Sequence, residues 1–326
     1  MKDKKSFEDV YSYICNNSSE IDPELEAAKK ERVLSNKIKF IVCLAFDIAM
    51  LYFLIMFFRN VGFLTYSFLF VFFIILLFVV IINGFICLVI GVILNGKQKK
   101  YNYKFKEVIV KRLIENFYDN TEYYPNKGIP EHIYKDAKYN EYYDEFYSED
   151  YIEARVDNTY DIDIAEVRTE KIETYEDSDG KTKTRLKNIF DGMFAKIVLD
   201  KSINDKIIIA KNNKLFFDDK RQKMDFNEFE KYFDVAASNK LLVMRILTPD
   251  IMLELLNFLN NYNVMFDIII DNYNIYIRFY CGNMFESSNL KKGAIDKDTL
   301  NRYYNILELS YNLLHKLINI IKEVDI

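Results

Sequence analysis

The sequence predicts an α+β protein in which a two-helix transmembrane hairpin precedes a cytoplasmic domain of antiparallel sheet with packed helices. Three observations predict it. First, two apolar runs, 40–58 and 64–94, stand either side of a five-residue connector, with only Asp47 charged between Lys39 and Arg59 and no charge at all between Arg59 and Lys97. Second, apolar and polar residues alternate with period two through much of 150–210, broken by turn-forming residues. Third, helical and strand-like patterns alternate after 210. The expected division is a helical arm at 1–37, the membrane hairpin at 38–96 and the α+β domain at 97–326.

In the arm, Phe7, Val10, Tyr11 and Ile14 recur at helical spacing. Asp22-Pro23-Glu24 reads as a second helix start, the acid capping and the proline at the first position. The 40–58 run at ~1.5 Å per residue gives ~28 Å, close to a ~30 Å hydrocarbon core. The 64–94 run is longer than a straight span needs, so tilt is expected. Lys29, Lys30, Arg32, Lys37 and Lys39 precede the first run, and Lys97, Lys99, Lys100 and Lys104 open a basic flank after the second, whereas the connector carries only Arg59. That asymmetry predicts a multi-pass protein of the cell membrane with both termini cytoplasmic and the basic flank at the membrane surface. Asp47 and Asn83 fall at similar depth and are expected to pair across the hairpin.

Beyond the membrane, an amphipathic helix is expected over 104–119, a break at Tyr124-Pro125-Asn126-Lys127-Gly128 and a short helix at 130–138. The stretch 139–153 carries six acids and no base among five tyrosines, and reads as a solvated acidic face beside an aromatic stripe. Strands follow from 151, with turns at Asp157-Asn158 and at 176–180. Further strands are expected at 189–199 and 206–210 around a turn at 201–205, and a strand at 241–247. Thr248-Pro249-Asp250 opens a helix. A hairpin is expected around Asp271-Asn272. A final helix capped by Asp296 or Asp298 would bury Leu300, Tyr304, Leu307, Tyr311, Leu314, Ile318 and Ile321.

Composition narrows function. The chain has 326 residues, 50% hydrophobic and 29% charged, with a net charge of -5 that argues against nucleic-acid binding. Scarce Gly and Pro beside abundant Asn, Lys, Ile and Tyr suggest AT-rich, bacterial coding. Cys15, Cys43, Cys87 and Cys281 show neither paired nor metal-ligand spacing and suit a reducing compartment. His132 and His315 lack a ligand partner at motif spacing, and no phosphate-loop, dinucleotide, nucleophile-elbow or zinc motif occurs. No catalytic residue, cofactor or metal site is assigned.

Several blocks resemble one family. They are Tyr123-Tyr124-Pro125-Asn126-Lys127-Gly128-Ile129, Ser148-Glu149-Asp150-Tyr151-Ile152, Ile164-Ala165-Glu166-Val167, Ile189-Phe190-Asp191-Gly192-Met193-Phe194, Phe229-Glu230-Lys231-Tyr232-Phe233-Asp234-Val235 and Arg245-Ile246-Leu247-Thr248-Pro249. With the arm and hairpin, they make the chain similar to the bacterial DUF3137 family. The resemblance implies an integral membrane protein with a cytoplasmic α+β domain, and supplies no activity.

The leading expectation is a non-enzymatic, membrane-anchored interaction or scaffold module that meets lipid and a protein partner and has scope to self-associate. One alternative is a membrane-bound cation-dependent enzyme using Glu149, Asp150 and Glu166, which requires those carboxylates to converge. The other is an oligomeric channel or transporter subunit built around Asp47.

Overall fold

A computed structural model describes residues 4–16, 23–61, 99–139, 141–212, 220–287 and 296–323, and between 62 and 98 only Leu77, Ile81, Gly84, Phe85, Leu88, Val89, Val92 and Gly96. The chain divides into two units. One comprises 1–15, 109–288 and 295–326, and the other 16–108 with 289–294.

The larger unit is built on a seven-stranded, wholly antiparallel sheet in the order β1-β2-β3-β4-β6-β5, with β7 also paired to β4. The strands are β1 (Asp119–Tyr124), β2 (Glu145–Val156), β3 (Tyr160–Glu176), β4 (Thr182–Lys211), β5 (Arg221–Gln222), β6 (Phe233–Ala236) and β7 (Phe266–Phe279). Local chemistry sets the β2–β3–β4 meander. Asp157 and Asn158 adopt positive φ, which short polar side chains tolerate, and Thr159 N–H donates to Val156 O at 3.1 Å. At the next turn the Asp177 carboxylate accepts from the amides of Asp179 and Lys181, and Gly180 takes φ +72°.

Two expected turns prove to be one bend. The turn at 201–205 and the hairpin at Asp271-Asn272 do not form. β4 and β7 instead run as two long strands, and Ile203 lies opposite Asn272 and Lys206 opposite Asp271, where the register shifts. Polar residues on both strands meet at the irregularity and the ladder continues past it, because Ile207, Ile209, Ile268 and Ile270 beyond it are fully buried.

Helices cover the sheet. The C-terminal helix Lys297–Glu323 packs on Lys111–Phe117 and on Pro249–Tyr262. Asp296 caps it, its carboxylate accepting from Thr299 N–H at 3.3 Å, and all seven expected stripe residues are buried. Thr248 caps the helix that starts at Pro249, as expected. The expected strand at 241–247 is instead the helix Lys240–Ile246. Asn239 accepts from Leu242 N–H at 3.1 Å, and Leu242, Val243 and Ile246 share the buried side. A short apolar run is ambiguous by period alone, and the cap decides it. The helix expected over 104–119 ends at Phe117 after a π-helical turn at Lys106–Val110, and β1 follows.

The helix α1 (Phe7–Asn16) buries Val10 and Ile14. Its flank joins the C-terminal helix: Lys4 Nζ donates to Asn312 Oδ1 at 2.7 Å and Tyr304 O–H to Lys5 O at 2.9 Å.

In the smaller unit, helix α2 runs Pro23–Val61. Its described apolar side chains face outward, with Phe40 69% and Ile48 60% exposed. Among the described residues, no helix is long and apolar enough to cross a membrane. Side chains 43, 51, 54, 55, 57 and 58 of α2 lie outside the described ones, as does most of the expected second span 64–94. The expected transmembrane hairpin therefore draws no support from the fold.

Candidate functional site

The site sits where β2 departs from regularity. Glu149 lies opposite Glu166 and Ile152 opposite Ile164, so β2 spends two residues where β3 spends one. In an unbroken strand, neighbouring side chains point to opposite faces. The bulge removes that constraint, and Asp150 sits at φ +54°. Its amide donates to Pro125 O at 3.4 Å and the Tyr151 amide to Lys127 O at 2.9 Å, so the 125–128 turn receives the displaced donors. Gly128 is required there, because a Cβ would stand 2.3 Å from Ser148 O. The Ser148 hydroxyl locks the same corner, donating to Glu166 O at 2.8 Å and accepting from Ile129 N–H at 3.0 Å.

The carboxylates of Glu149, Asp150 and Glu166 consequently converge, each offering an oxygen within 4.8 Å of the others. Asp150 is fully buried and Glu166 nearly so. The Tyr123 hydroxyl donates to Asp150, and Met284 N–H donates to Glu166 at 2.8 Å. Burial and Asp150 push the Tyr123 phenol well above its usual range, so it stays a donor. Glu149 and Glu166, with Asp191, Arg168, Tyr147 and Asn283, line a cavity of about 500 Å³. Charged carboxylates at this separation repel by about 3.5 kcal/mol per pair at an effective dielectric near 20. A divalent cation or a shared proton offsets that repulsion.

Sequence reading named the three acids but missed Tyr123, Asp191 and the 281–285 loop. Asp191-Gly192 was an available signal. Gly192 lies in regular register opposite Val167, where a Cβ would stand 1.9 Å from Phe279 O, so close backbone approach demands it. Beside it, burial pushes the Cys281 thiol up to about 12, against the Met193 amide, which lowers it.

The 139–153 stretch is less solvated than expected. Tyr139 is buried and Glu141 pairs with the fully buried Arg278, which also meets Asp267 at 2.6 Å. The guanidinium also donates to the hydroxyls of Tyr134 at 3.1 Å and Tyr280 at 3.0 Å, and its carbon sits 3.6 Å from the Tyr139 ring centroid. His315, expected to lack a partner at motif spacing, lies 3.1 Å from Asp157 through the fold.

Asp47 is exposed on α2, while Asn83 and Lys97 lie outside the described residues, and the expected Asp47–Asn83 pairing lies outside them with Asn83. Lys99 is exposed, Lys100 stands 4.0 Å from Glu31, and Lys104 pairs with Glu107 at 3.2 Å.

No curated protein and no solved structure matches the chain. The family model described as "Protein of unknown function (DUF3137)" matches residues 188–318, from within β4 into the C-terminal helix, so over that stretch the chain is similar to the DUF3137 family.

Proposed function

We propose that the protein is a membrane-anchored interaction module in which residues near 40–94 hold the sheet unit at a lipid surface. The observation that carries this is the outward placement of apolar side chains along α2, where Phe40, Ile41, Leu44, Ile48, Tyr52 and Phe53 are exposed. A helix in water keeps a polar face, and α2 shows no amphipathic division. Exposed apolar surface on this scale marks lipid or a partner, and the charge-free sequence from 60 to 96 favours lipid. The reading rests on sequence and exposure together, since among the described residues no helix is long and apolar enough to span. Leu241, Met244 and Leu253 expose further apolar surface on the sheet unit, which suits a protein partner. The test is flotation of expressed full-length chain with membranes after a high-salt wash. Retention supports the anchor, and release of a dispersed protein removes it.

One observation favours a second reading: Glu149, Asp150 and Glu166 converge. On it the sheet unit binds a divalent cation, the site a cation-dependent hydrolase would require. Titration of the detergent-purified chain with CaCl₂ and MgCl₂ tests it. Saturable heat lost in Glu166→Gln, with unchanged circular dichroism, supports the site, and wild-type protein silent to both ions excludes it.

A further inference from the structure

We infer that residues 16–108 are a membrane insertion inside one folded domain, so that the chain crosses the bilayer an even number of times and keeps residues 4–15 on the same side as 109–323. This rests on the membrane reading above. The argument comes from α1. Residues 1–15 group with 109–288 and 295–326 in one unit, although 93 positions of sequence separate them. The joint is specific. Asn116 both accepts from Lys5 N–H at 3.1 Å and donates to Lys5 O at 3.1 Å. Lys297 Nζ meets Glu8 at 2.7 Å, and the Phe7 ring lies 5.5 Å from that of Tyr304 in edge contact. Ile14 is fully buried and Val10 nearly so.

The chain thus leaves the domain after residue 15 and re-enters it at 109. A folded domain occupies one side of a bilayer, so every excursion between those points must return. An odd number of spans would tear α1 from the C-terminal helix and expose the apolar surface that Val10 and Ile14 cover. The fold therefore imposes the same-side arrangement independently of the lysine and arginine count, and it makes α1 a domain element that precedes the anchor in sequence.

Single cysteines test the arrangement in full-length protein whose four native cysteines are replaced by serine. Asp9→Cys, Lys183→Cys and Arg59→Cys are probed with a membrane-impermeant maleimide in vesicles of known sidedness. Asp9→Cys and Lys183→Cys should label together in one vesicle orientation and lose labelling together in the other, with Arg59→Cys showing the opposite pattern. Asp9→Cys and Lys183→Cys labelling from opposite sides, in protein that still floats after a high-salt wash, would overturn the inference alone. Protein that no longer floats would overturn the membrane reading and the inference with it.

Discussion

Phe194 and Ile277 in the sheet unit are fully buried, whereas Phe40 and Ile48 of similar chemistry on α2 are 69% and 60% exposed. Around Phe194, β3 and β7 flank β4 on both sides, and Tyr134 and Tyr276 pack against its ring. Along α2 the described apolar side chains lack such cover. Burying a large aliphatic or aromatic side chain contributes ~1.5–3 kcal/mol. The sheet unit gains that term from its own chain, and α2 gains it only from surroundings that are themselves apolar. On the proposed reading, equal hydropathy signals a core in one region and an anchor in the other.

The largest way to break this comparison is through the buried charge that the sheet unit tolerates. Arg278→Met removes the partner of Asp267 and Glu141 and should lower unfolding stability by about 3–5 kcal/mol, because buried carboxylates lose their counter-charge. Urea unfolding in detergent reads it, and a change below about 1 kcal/mol would show the pair to be dispensable.

A paired substitution sharpens the comparison itself. Phe194→Ala should cost about 3–5 kcal/mol in the same assay, whereas Ile48→Ala should leave the sheet unit's urea midpoint in place. Equal shifts would mean that α2 is part of the core after all.

Alkaline pH addresses the sheet unit alone. Burial pushes Cys281, Tyr262, Tyr276 and Tyr304 up to about 12. Unfolded thiols and phenols release protons from about pH 9–10, while the folded groups keep theirs to about 12, so the unfolded state binds fewer protons across that window. Stability contributed by these groups is fully present below pH 9 and falls as pH rises toward 12. A flat urea midpoint from pH 8.5 to 11 would contradict this. The smallest expected effect is Thr248→Ala, which removes the cap accepting from Ile251 N–H and should cost about 0.5–2 kcal/mol.

Much of the sheet unit was legible where chemistry is local. The Asp157-Asn158 turn, the Gly180 turn, the Thr248 and Asp296 caps and the 3.6-residue stripe from Leu300 to Ile321 each depend on residues a few positions apart. Apart from the 240–246 helix, which a local cap decides, the errors in the sheet arose where distant strands decide. The bend shared by Ile203 and Asn272 reads as two separate turns until β4 and β7 are paired. The site was half legible: Glu149, Asp150 and Glu166 stood out as acids, but adjacent strand residues converge only through the bulge, and Pro125 and Lys127 supply the acceptors for its displaced amides. Tyr123 and Met284 complete it from 27 and 118 positions away, beyond any local pattern.

The central claim is that α2 lies in lipid. A nitroxide attached at Ile48→Cys in vesicles, with the native cysteines replaced, measures it directly. The account predicts relaxation enhanced by dissolved oxygen and insensitive to a water-soluble nickel chelate. Strong nickel enhancement at that position would place α2 in water and contradict it.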